Sequence, residues 1–142
     1  MGTRERRERS DANDRQLSGL FLSALSENGL SAKNFALAAV GGYGRGELSP
    51  GSDLDLLILH DGSAHEEKLS AFVNALLYPL WNDGIPVDHA VRTRTQTRET
   101  ASDDIRVAMG ILDIRLIEGS SDLVDSVAQD IAEDWRKSAK KN

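Results

Sequence analysis

The sequence contains no cysteine, and this absence excludes a disulfide framework, a thiolate zinc site and a cysteine nucleophile. It also lacks any apolar run near the roughly twenty residues that a membrane-spanning helix needs. The opening residues, MGTRERRERSDANDR, do not have the apolar middle of a secretory signal. We therefore expect a cytoplasmic protein with no membrane partner, in which any metal is held by oxygen or imidazole ligands.

Basic side chains are in the minority. The chain has 17 Lys and Arg against 23 Asp and Glu, which gives a formal net charge of -6. Binding along a nucleic-acid backbone needs clustered basic side chains that replace condensed counterions, so we expect no nucleic-acid polymer as a partner. The length of 142 residues and the 39% hydrophobic content fit one globular domain with a modest core.

The spacing of apolar residues predicts the order of the structural elements. Residues 1–13 offer almost nothing apolar to bury and are expected to form a flexible arm, which places the domain at residues 14–142. An alternation of helices and strands predicts an α/β or α+β domain. The predicted helices cover residues 14–28, 64–81, 102–116 and 122–135, and the predicted strands cover residues 35–40, 54–59 and 85–91.

A glycine-rich stretch, GGYGRGELSPGS, follows the first predicted strand. It is predicted to be a loop, because its Gly, Ser and Pro content disfavours both helix and strand. Without β-carbons, Gly41 and Gly42 let backbone N–H groups approach a phosphate closely. The pattern matches neither the P-loop nor the dinucleotide fingerprint, and a glycine-rich turn is more often only a turn. The glycines alone therefore predict no function.

Two aspartates begin the second predicted strand. Asp53 and Asp55 are two residues apart, so both carboxylates project from the same face of the sheet. Two such charges repel each other unless a hard cation lies between them, and Mg²⁺ is commonly bound by one or two carboxylates plus substrate phosphate oxygens. An Asp-x-Asp pair also arises by chance in a chain this rich in Asp. Its place between a glycine loop and the apolar strand favours the metal interpretation.

These motifs together resemble a known family. Gly41-Gly42, followed after ten residues by Asp53-Leu54-Asp55-Leu56, resembles the signature of the DNA polymerase beta-like nucleotidyltransferase superfamily. The longer string VGGYGRGELSPGSDLDLLIL, with VDHAVRT and SDDIRVAMGILDIRLIEG, is similar to the bifunctional uridylyltransferase/uridylyl-removing enzymes that modify the signalling protein PII. The resemblance implies a nucleotidyltransferase fold, with a small mixed sheet flanked by helices. It also implies a truncated transferase domain, because that family continues into HD and ACT domains.

The resemblance assigns roles to individual residues. It implies transfer of UMP from UTP to a tyrosine of PII, by an in-line displacement that uses two Mg²⁺ ions, or Mn²⁺, and releases pyrophosphate. Asp88 is the candidate for a third acid on a later strand, where it could also be a solvated strand residue. The expected site consists of Gly41, Gly42, Arg45 and Ser52 at the nucleotide and of Asp53, Asp55 and Asp88 as catalytic and metal-binding residues.

Other functions remain open on the sequence alone. The same glycine and acid pattern occurs in transferases that pass AMP from ATP to PII or to glutamine synthetase, and in small-molecule nucleotidyltransferases. A non-catalytic module that binds nucleotide as a regulatory signal is a further alternative. Paired acids argue against it, because a binding-only site gains nothing from two carboxylates without a metal.

Several other polar residues receive simpler interpretations. Arg92, Arg94 and Arg98 could add positive potential near the site, but we favour the interpretation that they lie at a solvated strand end. The histidines lack zinc-ligand spacing with one another. Tyr43 and Glu47 are predicted to pack within the glycine loop.

Overall fold

The computed structural model of the chain describes residues 3–46 and 53–141. In this part of the chain, none of the helices is both long and apolar enough to cross a membrane. The elements are α1 (Thr3–Glu27), β1 (Phe35–Ala39), α2 (Gly41–Gly44), β2 (Leu54–His60), α3 (Glu66–Asn82), β3 (Val87–Thr93), α4 (Arg94–Asp103), α5 (Ile105–Ile111), β4 (Arg115–Gly119) and α6 (Ser121–Lys141), with a short 3-10 turn at Ala32–Asn34.

The strands form a mixed sheet of four in the order β3-β2-β1-β4. Strand β1 runs antiparallel to both β2 and β4, whereas β2 and β3 are parallel. The carboxyl end of β1 therefore lies beside the amino ends of β2 and β3. The predicted α/β (α+β) class, with a small mixed sheet flanked by helices, is confirmed.

One face of the sheet packs against α1 and α3. Leu37, Leu56 and Ile58 point to this side and are fully buried. They meet Phe21 of α1 and Phe72 of α3, whose rings pack edge to face with centroids 5.7 Å apart. This larger core fixes the sheet against the two longest helices that precede β3.

The opposite face packs against α4, α5 and α6. Ala38 and Leu57 point to this side and join a second buried cluster with Ile111 and Val127. Side chains alternate along a strand, so Asp55 lies on the same face as Leu57. Asp55 therefore projects from the face that packs against α4, α5 and α6, near the amino end of β2 and toward α5.

The structure corrects the predicted start of the first helix. Helix α1 begins at Thr3, so residues 3–13 are helical where the sequence predicted an arm. Ser10 is buried, and its hydroxyl oxygen accepts a hydrogen bond from Arg115 at 3.4 Å. The local sequence of residues 3–13 could not indicate this contact, because its partner strand lies more than a hundred residues away.

The glycine stretch is also more ordered than predicted. Its first residues form the helical turn α2, in which the Gly44 and Arg45 amides donate to the Val40 and Gly41 carbonyls at 3.0 and 3.1 Å. A turn of helix can thus begin directly after β1, where a loop was expected. Residues 47–52, which include Glu47 and Ser52, lie outside the described residues.

The helix predicted over residues 102–116 is wrong. Asp104 has an extended backbone, with φ -133° and ψ 110°, and its carboxylate caps α5 by accepting from the Arg106 amide. The segment is divided into the end of α4, the short helix α5 and the start of β4. Strand β4 was not predicted, because it is stabilised by pairing with β1, which is distant in the sequence.

Candidate active site

The three predicted acids lie at the same end of the sheet. Asp55 in β2 and Asp88 in β3 are register partners in the parallel pair, and Asp53 immediately precedes β2. Burial raises the pKa of Asp55, and the carboxylates of Asp88 and Asp53 raise it further. Asp55 is half-buried, whereas Asp53 and Asp88 are exposed. The acids therefore form an electrostatically costly group that is open to solvent on one side.

The glycine turn touches this group. The Val40 amide donates to the Asp55 carbonyl at 3.0 Å, which joins the end of β1 to the start of β2. Gly41 has a positive φ of 58°, and a β-carbon there would lie 3.2 Å from Asp55 Oδ2. Only glycine adopts this conformation without strain while leaving room for the carboxylate. At Gly42, a β-carbon would make an ordinary contact at 3.7 Å with Arg45.

A cleft of about 490 Å³ opens beside the acids, between the sheet and α5. Sequence reasoning missed the contribution of α5, because the segment was assigned to one long helix. The signal that could have divided it is Asp104, a favourable N-cap residue directly before an apolar run. The lining residues include Gly41, Asp55, Asp88, Arg92, Asp104, Arg106, Val107 and Gly110.

A larger hollow lies elsewhere, between α4 and α6, and has a different chemical character. Arg94 makes a bidentate ion pair with Asp130 at 2.7 and 2.8 Å, and Arg98 makes one with Asp134 at 2.8 and 2.7 Å. These arginines therefore join two helices and do not approach the acids. The prediction of a solvated strand end is wrong for them, because β3 ends at Thr93 and α4 begins there.

The carboxylates of the three acids suit a hard cation whose remaining coordination positions are filled by the substrate. In the part of the chain that the structure describes, no three acidic or histidine side chains converge closely enough to hold a metal ion by themselves. Mg²⁺ usually takes one or two carboxylates and fills its remaining positions with water and substrate phosphates. The carboxylates of Asp55 and Asp88, on neighbouring strands, and that of Asp53, which also raises the Asp55 pKa, fit that requirement.

Arg45 has a partner of its own. Its Nη1 donates to Asp113 Oδ2 at 2.8 Å, on an exposed part of the surface. Arg45 is also absent from the lining of the cleft that contains Asp55. The structure thus brings Gly41, Asp55 and Asp88 to one cleft and leaves Arg45 beside it.

The sequence did not reveal what holds the glycine turn in place. The buried Tyr43 hydroxyl donates to Asp14 Oδ1 at 2.5 Å, and Arg115 donates to both Asp14 carboxylate oxygens. Arg115 also donates to the carbonyls of Tyr43 and Gly44, at 2.9 and 3.2 Å. We call Asp14, Tyr43 and Arg115 the Arg115 network. It connects the end of α2 to α1 and β4.

Tyr43→Phe is expected to lower the free energy of unfolding by about 1–2 kcal/mol, because the Asp14 carboxylate loses a hydrogen bond in a partly buried site. Urea denaturation measures the change. Tyr78→Phe is the matched control, since Tyr78 is 64% exposed on α3. Equal unfolding midpoints for the two variants would contradict a stabilising role for the Tyr43 hydroxyl.

Comparison with known families bears on the whole of this site. Residues 20–108 match a family model described as a nucleotidyltransferase domain. The chain belongs to this family. The matched span contains the glycine turn and the three acids of the nucleotidyltransferase domain, so the family resemblance that the motifs indicated is confirmed.

The domain is similar to several bifunctional uridylyltransferase/uridylyl-removing enzymes. It is 45% identical over 140 residues to the enzyme of Streptomyces coelicolor, covering 99% of this chain and 16% of that enzyme. Identity to the Mycobacterium tuberculosis enzyme is 41% over 105 residues, covering 74% and 13%. Identity to the Aromatoleum aromaticum enzyme is 42% over 90 residues, covering 63% and 10%. The chain thus spans about a sixth, or less, of the curated relatives it matches.

Proposed function

We propose that this nucleotidyltransferase domain transfers UMP from UTP to a tyrosine hydroxyl of the PII signalling protein. The observation that carries the proposal is the pairing of Asp55 with Asp88 beside the glycine turn, where burial and the carboxylates of Asp88 and Asp53 raise the pKa of Asp55. The similarity to enzymes named for uridylyl transfer supports UTP as the donor. The acceptor protein and the nucleotide are proposals for this chain.

In the proposed reaction, the tyrosine oxygen attacks the α-phosphorus as the bond from that phosphorus to the β-phosphate oxygen breaks. A phosphodiester forms, and pyrophosphate leaves with the electron pair of the broken bond. Asp88 accepts the proton of the tyrosine hydroxyl, since its carboxylate is exposed at the mouth of the cleft. The amides of Gly41 and Gly42 bind the triphosphate, with Arg45 and Ser52 as further candidates for that contact.

Two Mg²⁺ ions, or Mn²⁺, held by Asp53, Asp55 and Asp88 would neutralise charge at the α-phosphate and lower the pKa of the acceptor hydroxyl. The carboxylates contribute the hard oxygen donors, and the pairing of β2 with β3 fixes the spacing of Asp55 and Asp88. Asp55 is anchored on the buried strand, whereas Asp53 lies before it. We therefore assign Asp55 the central position among the metal-binding residues.

The direct test offers the chain each α-phosphate-labelled nucleoside triphosphate with Mg²⁺ and purified PII. We expect label from UTP on PII, and no label on a PII variant whose acceptor tyrosine is replaced by Phe. Label from ATP alone would reassign the domain to AMP transfer. No label from any nucleotide, under conditions where a full-length relative is active, would contradict transferase activity in this chain.

A second expected result is that UTP binds measurably only when Mg²⁺ or Mn²⁺ is present. Without the cation, Asp55 and Asp88 repel the triphosphate in a cleft that focuses their field. Calorimetric titration of UTP with the cation and with EDTA makes the comparison, and UMP serves as the less charged control. Equal UTP affinity in EDTA would overturn the cation-dependent site.

A further inference from the structure

The glycine turn faces a position of α5 that has no side chain. Arg106, Val107 and Gly110 line the cleft from α5, at the spacings of three and four residues that place side chains on one face of a helix. Gly110 lies directly beside the turn, because a β-carbon there would lie 3.8 Å from the backbone nitrogen of Gly41. The α5 wall of the cleft is therefore bare at the point where it faces the Gly41 amide.

Neither the backbone nor the packing of the protein requires glycine at position 110. Gly110 has an ordinary helical backbone within α5, unlike Gly41, whose φ is 58°. Among the described residues outside its own helix, a β-carbon at Gly110 would meet only the Gly41 nitrogen within 4 Å, at an ordinary van der Waals distance. Glycine is one of the least favourable residues within a helix. The reason for a glycine here therefore lies in what enters the cleft.

Helix α5 is not free to move away from the turn. Ala108 and Ile111 are buried in the second core cluster, which fixes α5 against the sheet. Just after the helix, the backbone of Asp113 packs so closely on Gly44 that a β-carbon at Gly44 would lie 2.2 Å from the Asp113 carbonyl oxygen. A side chain at position 110 would therefore project into the cleft, since the helix that carries it is held in place on both sides.

We propose that a phosphate of the nucleoside triphosphate binds between the Gly41 amide and Gly110, in the space that a side chain at position 110 would occupy. This inference rests on the proposed function, which places the triphosphate on the glycine turn. A phosphate oxygen that accepts a hydrogen bond from a backbone amide lies about 2.9 Å from the nitrogen. A methyl carbon 3.8 Å from the Gly41 nitrogen competes for that space. Gly110 thus sets the width of the triphosphate site from the side of α5.

The experiment titrates the 142-residue chain with UTP and with inorganic tripolyphosphate, each with Mg²⁺, by calorimetry. Gly110→Ala is expected to weaken the binding of both ligands about 10-fold, and Gly110→Leu about 100-fold or more, because the larger side chain fills more of the site. Both variants should melt at or above the parent temperature, since alanine and leucine favour a helix over glycine. A loss of affinity without a loss of stability separates contact with the ligand from a structural role.

Gly19→Ala is the matched control, because it makes the same change at an exposed position of α1 where a β-carbon meets nothing within 4 Å. It should bind both ligands as the parent does. Unchanged affinity of folded Gly110→Leu for both ligands overturns the inference. A Gly110→Ala variant that melts well below the parent also overturns it, because position 110 would then be structural.

Failure of this inference can be distinguished from failure of the proposed function. If tripolyphosphate binding depends on position 110 but the parent transfers no nucleotide to PII, the inference stands and the proposed function fails. If the parent transfers UMP to PII and Gly110→Leu keeps the UTP affinity of the parent, only the inference fails. If the parent binds neither ligand, the inference fails, and the labelled-nucleotide assay with PII decides the proposed function separately.

Discussion

Asp55→Asn is expected to abolish nucleotidyl transfer and, in EDTA, to raise the midpoint of thermal unfolding. Asn keeps the shape of the side chain but removes the charge that we propose binds the cation, so activity should fall by orders of magnitude. The stability gain has a separate cause. Burial, Asp88 and Asp53 all penalise the ionised carboxylate in the folded state. Relief of such a functional penalty typically gains about 0.5–2 kcal/mol.

The stability difference between Asp55→Asn and the parent is expected to depend on pH. The folded-state pKa of Asp55 is raised, so its ionisation costs stability at neutral pH, and this cost disappears as the pH falls below that pKa. The stability advantage of Asp55→Asn over the parent should therefore be largest near pH 7 and shrink in acid. Asp125→Asn, at an exposed position of α6, controls for removal of one negative charge.

Two results would count against this account of Asp55. A variant that melts well below the parent in EDTA would show that the carboxylate is structural. A variant that retains full transfer would place the reaction elsewhere. With Mg²⁺ and UTP present, the midpoint of the parent should rise by mass action, while that of Asp55→Asn should not.

Gly44→Ala is expected to destabilise the fold by about 1–3 kcal/mol or more, because it overpacks a contact between two backbone segments. A β-carbon at Gly44 would lie 2.2 Å from the Asp113 carbonyl oxygen and 3.1 Å from that of Ala39. Neither atom can rotate away as a flexible side chain could. The helical turn α2 and the segment before β4 must separate, which displaces the glycine turn and should weaken Mg²⁺–UTP binding as well.

Gly19→Ala provides the control for the glycine substitution. Gly19 is exposed in α1, and a β-carbon there would meet nothing within 4 Å. Since alanine favours the helix, this change should stabilise the fold by about 0.5–1 kcal/mol. Urea denaturation of both variants gives the comparison. If Gly44→Ala unfolds at the same urea concentration as the parent, the two segments are less closely packed than described.

The strand pattern predicted the places of the acids in the fold. Asp53 and Asp55 precede an unbroken apolar run, and alternation in VDHAVRT put Asp88 on the face opposite to Val87 and His89. The register between Asp55 and Asp88 could not be predicted. It depends on which strands are neighbours, and β2 and β3 are parallel neighbours that are connected through the helix α3.

The arginines show where local signals were available but unused. Thr93 and Gln96 form a capping box, a pattern that marks a helix start in the sequence itself. With α4 beginning after Thr93, Arg92 stays on the strand beside the cleft, and Arg94 and Arg98 face α6. Treating the three as one solvated group therefore concealed two different locations.

The Arg115 network determines how short a working fragment of this domain can be. The family match covers residues 20–108, and it includes Asp53, Asp55 and Asp88. Asp14 and Arg115, which hold the end of the glycine turn from either side, both fall outside it. A fragment trimmed to the matched span would keep every predicted acid, yet the glycine turn would lose its two anchors.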